Sequence, residues 1–373
     1  MICPFCGHKY VRESKQRSRK SLNRKSFYCP SCRQPFYIDV PKPSNKVEYV
    51  SKEFPSQDWS AYNEAKACEK EMFMEILSEL IQFVEVKPQK MGRPCIGLND
   101  MIYCCALKTF TRFSSRRAIS DLKFAKQKGH ISSVPTFNSI LKYLEKSEMA
   151  SELKKLIYLS ALPLKEVETA YAVDSSGFST SVFSRWYDYR FNKDKTIRLW
   201  RKAHIMVGTR TNVISGVEVM KGTSADSPQF IPLLNQLDNP DAREVSADKA
   251  YSSKKNLEAA IEKGLIPYIP FKKNAKMNKR GSAIWRQMFT EFQVNRQEFL
   301  EHYHRRSNVE TAFHMIKMKF GNNVRAKKPV AQDNEILCKI LCHNICCLIQ
   351  EMHELGIQPT FYAKKKIAQK VKV

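Results

Sequence analysis

From about residue 67 to 165 apolar positions recur at helical spacing, in "ACEKEMFMEILSELIQFVEV", "LNDMIYCCALKTF", "SSRRAISDLKFAKQ" and "TFNSILKYLEKSEMASELKKLIYLSAL". This pattern predicts a helical array. Ser114 and Thr136 are placed to N-cap short helices, and Gly129 lies in the break between them. Near residue 170 the period changes. "AYAVDSSGF", "KAHIMVGT" and "VISGVEVMKG" read as three strands, the last two forming a hairpin around Asn212. A helix opened by "SADSPQFIPLLNQL" follows, with Asp226 or Ser227 as its cap and Pro228 in its first turn. Then come a strand, "AREVSADKAYSS", a helix, "SKKNLEAAIEKG", and an extended run, "LIPYIPF". Strands and helices in this order predict mixed α/β layering.

Two helical stretches close the pattern. In "YHRRSNVETAFHMIKMKFG", residues 303–321, a single helix at about 100° per residue would bring Arg306, Glu310 and Lys317 within roughly 60° of Tyr303. Val309, Phe313, Ile316 and Phe320 form an apolar stripe beside them. Such a face is equally that of an ordinary solvated helix with i,i+4 ion pairs. "ILCKILCHNICCLIQ", residues 336–350, is too short to span a bilayer and is interrupted by Lys339, His343 and Asn344. It reads as a buried helix in which Cys338, Cys342 and Cys346 are core residues.

Charge changes the picture. The 373 residues carry a formal net charge of +26, spread along the whole chain. A polyanion is the expected partner, and without an apolar span or amphipathic anchor a membrane is not. Met1 leads directly into a cysteine motif, so no secretory leader is expected and the protein should be cytoplasmic. Residues 41–66, with three prolines and no sustained period, read as a linker, and 353–373 as a basic tail. The helical array at 67–165 carries Arg116 and Arg117 on a face suited to a helix-turn-helix-like DNA contact, although a bundle serving dimerisation has the same pattern. Residues 185–202, with Arg198 and Lys202, suggest a phosphate-tracking β-ribbon. "FKKNAKMNKRGSAIWRQMF" suggests a DNA-facing loop with Lys272 and Lys273, its Trp285 either buried or stacking on a base. His204 has no second histidine at ligand spacing and reads as a strand residue.

"CPFC" at 3–6 and "CPSC" at 29–32 are separated by 22 residues. Two such knuckles give four soft thiolates, and Cys3, Cys6, Cys29 and Cys32 are therefore expected to hold one Zn²⁺ in a small ribbon spanning 1–40. A pair of disulfides or a redox couple does not account for matched knuckles in a reducing compartment.

Asp174 and Asp248 each end a β-prone run, in "DSSG" and "DKAY". Neighbouring strands would bring them together, and the 303–321 helix would add Glu310. Taken singly each acid is as readily a cap or turn residue. Converging in a basic protein, three carboxylates call for Mg²⁺ or Mn²⁺, and such sites serve phosphoryl transfer. The segment "YHRRSNVETAFHMIK" matches Tyr-x2-Arg-x3-Glu-x6-Lys at Tyr303, Arg306, Glu310 and Lys317. It resembles the C-terminal signature of insertion-sequence DDE transposases, and "VDSSGF" and "ADKAYSS" resemble that family's two Asp segments in the expected order. The resemblance covers about 170–325 and extends faintly to "GRPCIGLNDMIYCCALK".

That resemblance implies an α/β ribonuclease H-like catalytic domain, a mixed central sheet with flanking helices over 166–352, behind the helical DNA-binding domain and the zinc ribbon. It implies Asp174, Asp248 and Glu310 as the Mg²⁺ (or Mn²⁺) triad, with Arg306 and Lys317 on phosphate and Tyr303 beside them. Double-stranded DNA, the element's inverted-repeat ends and a target, would be the substrate, held by a homodimer. A zinc ribbon is no constant part of the family. The 61 residues between Asp248 and Glu310 leave little room for a large inserted β domain. A non-catalytic DNA-binding regulator and a ribonuclease H-like nuclease without strand transfer are the competing expectations.

Overall fold

The protein, seen here as a computed structural model, is described over residues 3–9, 12–13, 24–39, 58–86, 92, 95–180, 190, 200–277 and 281–359. It comprises two compact units, 1–57 and 58–373.

In the first unit, strands β1 (Arg12–Glu13), β2 (Arg24–Tyr28) and β3 (Pro35–Asp39) form an antiparallel sheet in sequence order. The knuckles repeat one turn geometry. The residue after the second cysteine of each pair, Gly7 or Arg33, has a positive φ, of 72° and 55°. Backbone bonds from Cys3 to His8 (2.9 Å) and from Cys29 to Gln34 (3.1 Å) close the two turns alike. Gly7 adopts this conformation without steric cost, whereas Arg33 does not.

The second unit opens with α1 (Trp59–Leu80), which begins inside the stretch expected to be linker. Asp58 explains the early start, since its carboxylate accepts the amides of Ser60 and Ala61 at 3.0 Å and caps the helix. The helices α2 (Leu98–Phe110), α3 (Ile119–Gln127), α4 (Phe137–Leu144) and α5 (Glu148–Ala161) follow. Thr136 caps α4 as expected, accepting from the Ser139 amide at 3.2 Å.

Strands β4 (Ala170–Ser179), β5 (Trp200–Gly208) and β6 (Ile214–Lys221) pair antiparallel, and Asn212 turns the β5–β6 hairpin at φ 59°. After α6 (Phe230–Gln236), strand β7 (Glu244–Ala247) lies parallel to β4 on its other side. After α7 (Lys254–Glu262), β8 (Ile266–Tyr268) lies parallel to β7. The order is β6-β5-β4-β7-β8, three antiparallel strands continued by two parallel ones, which is the ribonuclease H-like sheet. Helices α8 (Ala283–Val294), α9 (Arg296–His304), α10 (Ser307–Phe320) and α11 (Pro329–Leu355) complete the unit.

Strand alternation sorts the core onto the two faces of the sheet. Ala172, Phe178, Ala203, Ile205 and Val207 pack with α1, α2, α5, α10 and α11, so the helical array and this face share one core. Tyr171, Val173 and Met206 face α6, α7 and α8. α11 is buried around most of its circumference, Cys338, Cys342 and Cys346 included. Its polar side chains are tied down. Asn344 accepts the Ile214 amide at 2.9 Å and donates to the Ile214 carbonyl at 2.7 Å, so a helix side chain completes the ladder of β6. His343 Nε2 bonds the Asn212 carbonyl at 2.9 Å, and burial pushes its imidazole pKa down to about 4. Among the described residues no helix is long and apolar enough to cross a membrane.

Candidate active site

β4 and β7 carry the first two acids. Val173 is in register with Ala247, so Asp174 and Asp248, the next residues, stand side by side. Asp248 follows the end of β7 as expected, whereas Asp174, expected at a strand end, lies in the middle of β4, which its pairing with β5 carries on to Ser179. Asp174 lies on the same sheet face as Ala172 and Phe178, the face against which α10 packs through Val309, Ala312 and Phe313. Glu310 stands in the first turn of α10 with its carboxylate largely exposed.

Arg306 ties these elements together. One guanidinium nitrogen donates to the Asp174 carboxylate and another to Glu310 at 2.7 Å. Burial raises the Asp174 pKa; the Ser175 amide, at 2.7 Å, and Arg306 oppose that rise, while the charges of Asp248 and Glu310 add to it. Carboxylates brought together this way repel, and the only relief from Arg306 is one positive charge. Lys317, two turns further along the same face of α10, donates to Ser176 at 2.6 Å and lies 5.4 Å from the Phe178 ring centre. Burial lowers its pKa.

The single helix expected over 303–321 is two helices. α9 ends at His304 and α10 begins at Ser307, so Tyr303 belongs to α9 and meets Arg306 across the turn, its ring centre 5.8 Å from the guanidinium carbon. The segment expected to be a DNA-facing loop, 271–289, runs at its end into α8. Trp285 is buried there, its amide accepted by Ser282 at 3.1 Å and its ring edge-on to Phe271, so the stacking alternative is excluded. Lys272 and Lys273 are exposed just after β8. Arg116 and Arg117 are exposed ahead of α3, Arg116 lying over the Phe137 ring. Arg198 and most of the expected β-ribbon lie outside the described residues.

Asp226 was expected as a helix cap, but its side chain caps nothing. It pairs instead with Lys202 at 2.5 Å and accepts from Ser175 at 3.3 Å. His204, a fully buried strand residue, shares a 3.3 Å hydrogen bond with Tyr251, whose turn starts at Asp248. These residues buttress the segments that carry the two aspartates. Sequence reading missed them; the acid in "SADSPQF" and the tyrosine three places after Asp248 were the available signals.

In the N-terminal unit the Cys3–Cys32 and Cys6–Cys29 sulfur pairs are each 3.6 Å apart, and all four sulfurs lie within 4.8 Å of one another. Among the described residues no other group of three or more His, Cys, Asp or Glu side chains gathers so closely. The amides of Cys32 and Ser31 point at the Cys29 sulfur and, against burial, hold its pKa down at about 6, favouring the thiolate.

No solved structure matches the chain. Residues 165–345 match the family model of the transposase DDE domain, a span that contains the whole five-stranded sheet, both aspartates and the α10 helix with Glu310. With its ribonuclease H-like sheet and its N-terminal four-cysteine cluster, the chain carries, over 165–345, a domain that belongs to the transposase DDE family.

Proposed function

We propose that the protein is the transposase of a mobile DNA element, a cytoplasmic enzyme that binds the element's inverted-repeat ends, cleaves there and transfers the 3′ ends to target DNA. The observation that carries this reading is the register of β4 with β7, which sets Asp174 beside Asp248 on the face where α10 presents Glu310. The donor set fits Mg²⁺ or Mn²⁺: three hard carboxylates, of which Asp174 has its pKa raised first by burial and then by the charges of Asp248 and Glu310. When bound there, such ions supply Lewis-acid stabilisation of an in-line displacement at a phosphodiester. Arg306 is the cation now held by this carboxylate set. Released by a stronger cation, its fork is suited to a bidentate grip on a DNA phosphate. Lys317, kept short of full hydration by Phe178 and Phe313, adds a second phosphate contact, and Tyr303 limits where the Arg306 guanidinium can swing. Cys3, Cys6, Cys29 and Cys32 would hold one structural Zn²⁺. The ribbon and the helical array, with Arg116 and Arg117, would recognise the ends, while Lys272, Lys273 and Arg198 follow the backbone. A homodimer would pair two ends.

The deciding assay offers full-length protein a labelled pre-cut end and a circular target in Mg²⁺. Covalent joining is expected. Nicking without joining would reduce the protein to a nuclease, and binding without either would leave a regulator. Replacing Asp174, Asp248 or Glu310 by the matching amide should lower cleavage by at least about a hundredfold while DNA affinity changes little, since size is kept and ligand charge lost. An amide variant that cleaves at the wild-type rate removes that residue from the triad.

A further inference from the structure

Away from the carboxylates, the end of α2 meets the segment that joins α10 to α11. Lys108, Thr109 and Arg112 come from the first, Arg325 and Lys339 from the second and from α11, and they line one small pocket of about 30 Å³ that opens to solvent. Lys108 and Lys339 form its buried floor, with 7% and 3% of their surface exposed, and Arg112 and Arg325 its exposed rim. Four cations share this space with one acid, Glu335. Both oxygens of that carboxylate are engaged by backbone amides, those of Arg325 at 3.1 Å and Ala326 at 2.9 Å. Lys339 donates to the carbonyls of Gly321 and Asn323 at 2.9 and 2.6 Å. Among the described residues, Lys108, Arg112 and Arg325 have no side-chain hydrogen bond or ion pair, although Lys108 is more than nine-tenths buried.

Four cations crowded around one acid that is already engaged repel one another, and the solvent that enters the pocket is what offsets the Lys108 charge. The strain is felt at Lys339, whose pKa falls to about 8, first through burial and then through Arg112, Arg325 and Lys108, against Glu335. The backbone is committed to the arrangement. Arg112 holds a left-handed φ of 57°, rare for a branched or long side chain. Gly321, at φ 85°, lets the Arg112 guanidinium come so near that a β-carbon there would touch it at 3.6 Å.

We propose that this pocket binds a phosphate group, with the two buried ammoniums beneath it and the two guanidiniums closing over it. Resting on the DNA-binding reading above, we assign that phosphate to the DNA backbone. The Phe178 ring connects the pocket to the acid site. Lys317 and Lys339 lie 5.4 and 5.5 Å from its centre, which keeps the two ammoniums within about 11 Å of each other. At about 3.4 Å of axis per phosphate along one strand, that distance is a few nucleotides. A strand held at Lys317 would thus place a nearby phosphate over Lys108. Because α2 belongs to the helical array, the contact would report to that array that the strand is seated.

The test uses full-length protein with Arg112→Gln and Arg325→Gln combined, both on the exposed rim, against a control of equal charge loss, Arg243→Gln with Lys255→Gln. In the first arm, inorganic phosphate replaces chloride at constant ionic strength and thermal unfolding is followed. Phosphate should raise the midpoint of wild type and control but not of the rim variant; equal shifts in all three overturn the pocket. In the second arm, duplex binding is measured across a salt series. The slope of log affinity against log salt should shrink by about 1 in the rim variant alone. An unchanged slope with the phosphate response lost overturns the assignment to DNA and leaves a free-anion site. Wild-type protein that binds no DNA would sink the transposase reading, while the phosphate arm still decides the pocket. Should the double variant fail to fold, Arg325→Gln alone carries both comparisons.

Discussion

The N-terminal unit and the body solve the problem of stability by different means. Among the described residues the first buries a cluster of only Cys3, Phe27 and Cys29, with Cys32 packed against it. The second buries two extensive clusters, one on each face of a five-stranded sheet. Apolar burial at about 25 cal/mol per Å² can hold the body together, whereas the described residues of the ribbon bury little of it. The ribbon is therefore expected to draw its order from the four sulfurs. The comparison teaches that each unit should fail under a different insult.

Metal removal gives the largest expected separation. Structural zinc supplies on the order of 10 kcal/mol or more to a small cysteine site. Chelation should therefore unfold the ribbon completely while the main thermal transition of the body stays within about 2 °C. Metal analysis of the untreated protein should find one zinc per chain. Less than half an equivalent, with the cysteines recovered as disulfides, would end the comparison in this form. In the opposite direction, Leu341→Ala opens a cavity in the middle of α11 and should destabilise the body by about 2–5 kcal/mol, read by denaturant titration, with zinc content untouched.

Acid sharpens the contrast by a smaller amount. His343 is neutral in the fold, its pKa depressed to about 4, whereas an unfolded histidine takes a proton near pH 6.5. Its contribution to stability is complete above about pH 6.5, declines as pH falls towards 4, and is gone below that. At about 1.4 kcal/mol per pH unit the loss amounts to roughly 3 kcal/mol. Glu351, pushed up to about 7 by burial and then by Glu354 and Glu168, has the opposite sign over much of the same window. The quantity to measure is therefore the difference between wild type and His343→Gln. It should shrink between pH 6.5 and 4 and stay flat above 7; a difference constant over the whole range would mean that His343 does not titrate with folding.

Much of the sheet was legible in the sequence because its signals are local. The period-two runs, the Asn212 hairpin and the acid at the end of β7 each occupy fewer than about ten residues, within reach of strand-pattern reasoning, whereas β4 runs on past Asp174 because β5 pairs with it to Ser179. The four cysteines were legible for the same reason. What stayed hidden depends on partners far apart in the chain. Helical periodicity runs straight through 303–321, and nothing in it marks the turn that puts Tyr303 on α9. Asp226 looked like a cap because Pro228 follows it in a first turn, yet Lys202, 24 residues earlier, takes its carboxylate. Trp285 sits among basic residues, which suggested solvent and DNA, but Ser282 starts a helix there and turns the ring inward. The Lys108 pocket joins positions more than two hundred residues apart, and no window along the chain contains both of its halves.

α11 follows in the chain every one of the elements α1, α2, α5 and β6 that pack against it. The order of synthesis therefore runs against the order of assembly. Until about residue 349 has emerged, the array and the hairpin expose the surfaces that α11 will cover, and Ile214 waits for Asn344 to complete its hydrogen bonds. A message truncated ahead of α11 would yield neither a competitor for DNA nor a partial enzyme, but a chain with an open apolar trench, marked for degradation. A frameshift just ahead of α11 should thus be as silencing as one ahead of α1.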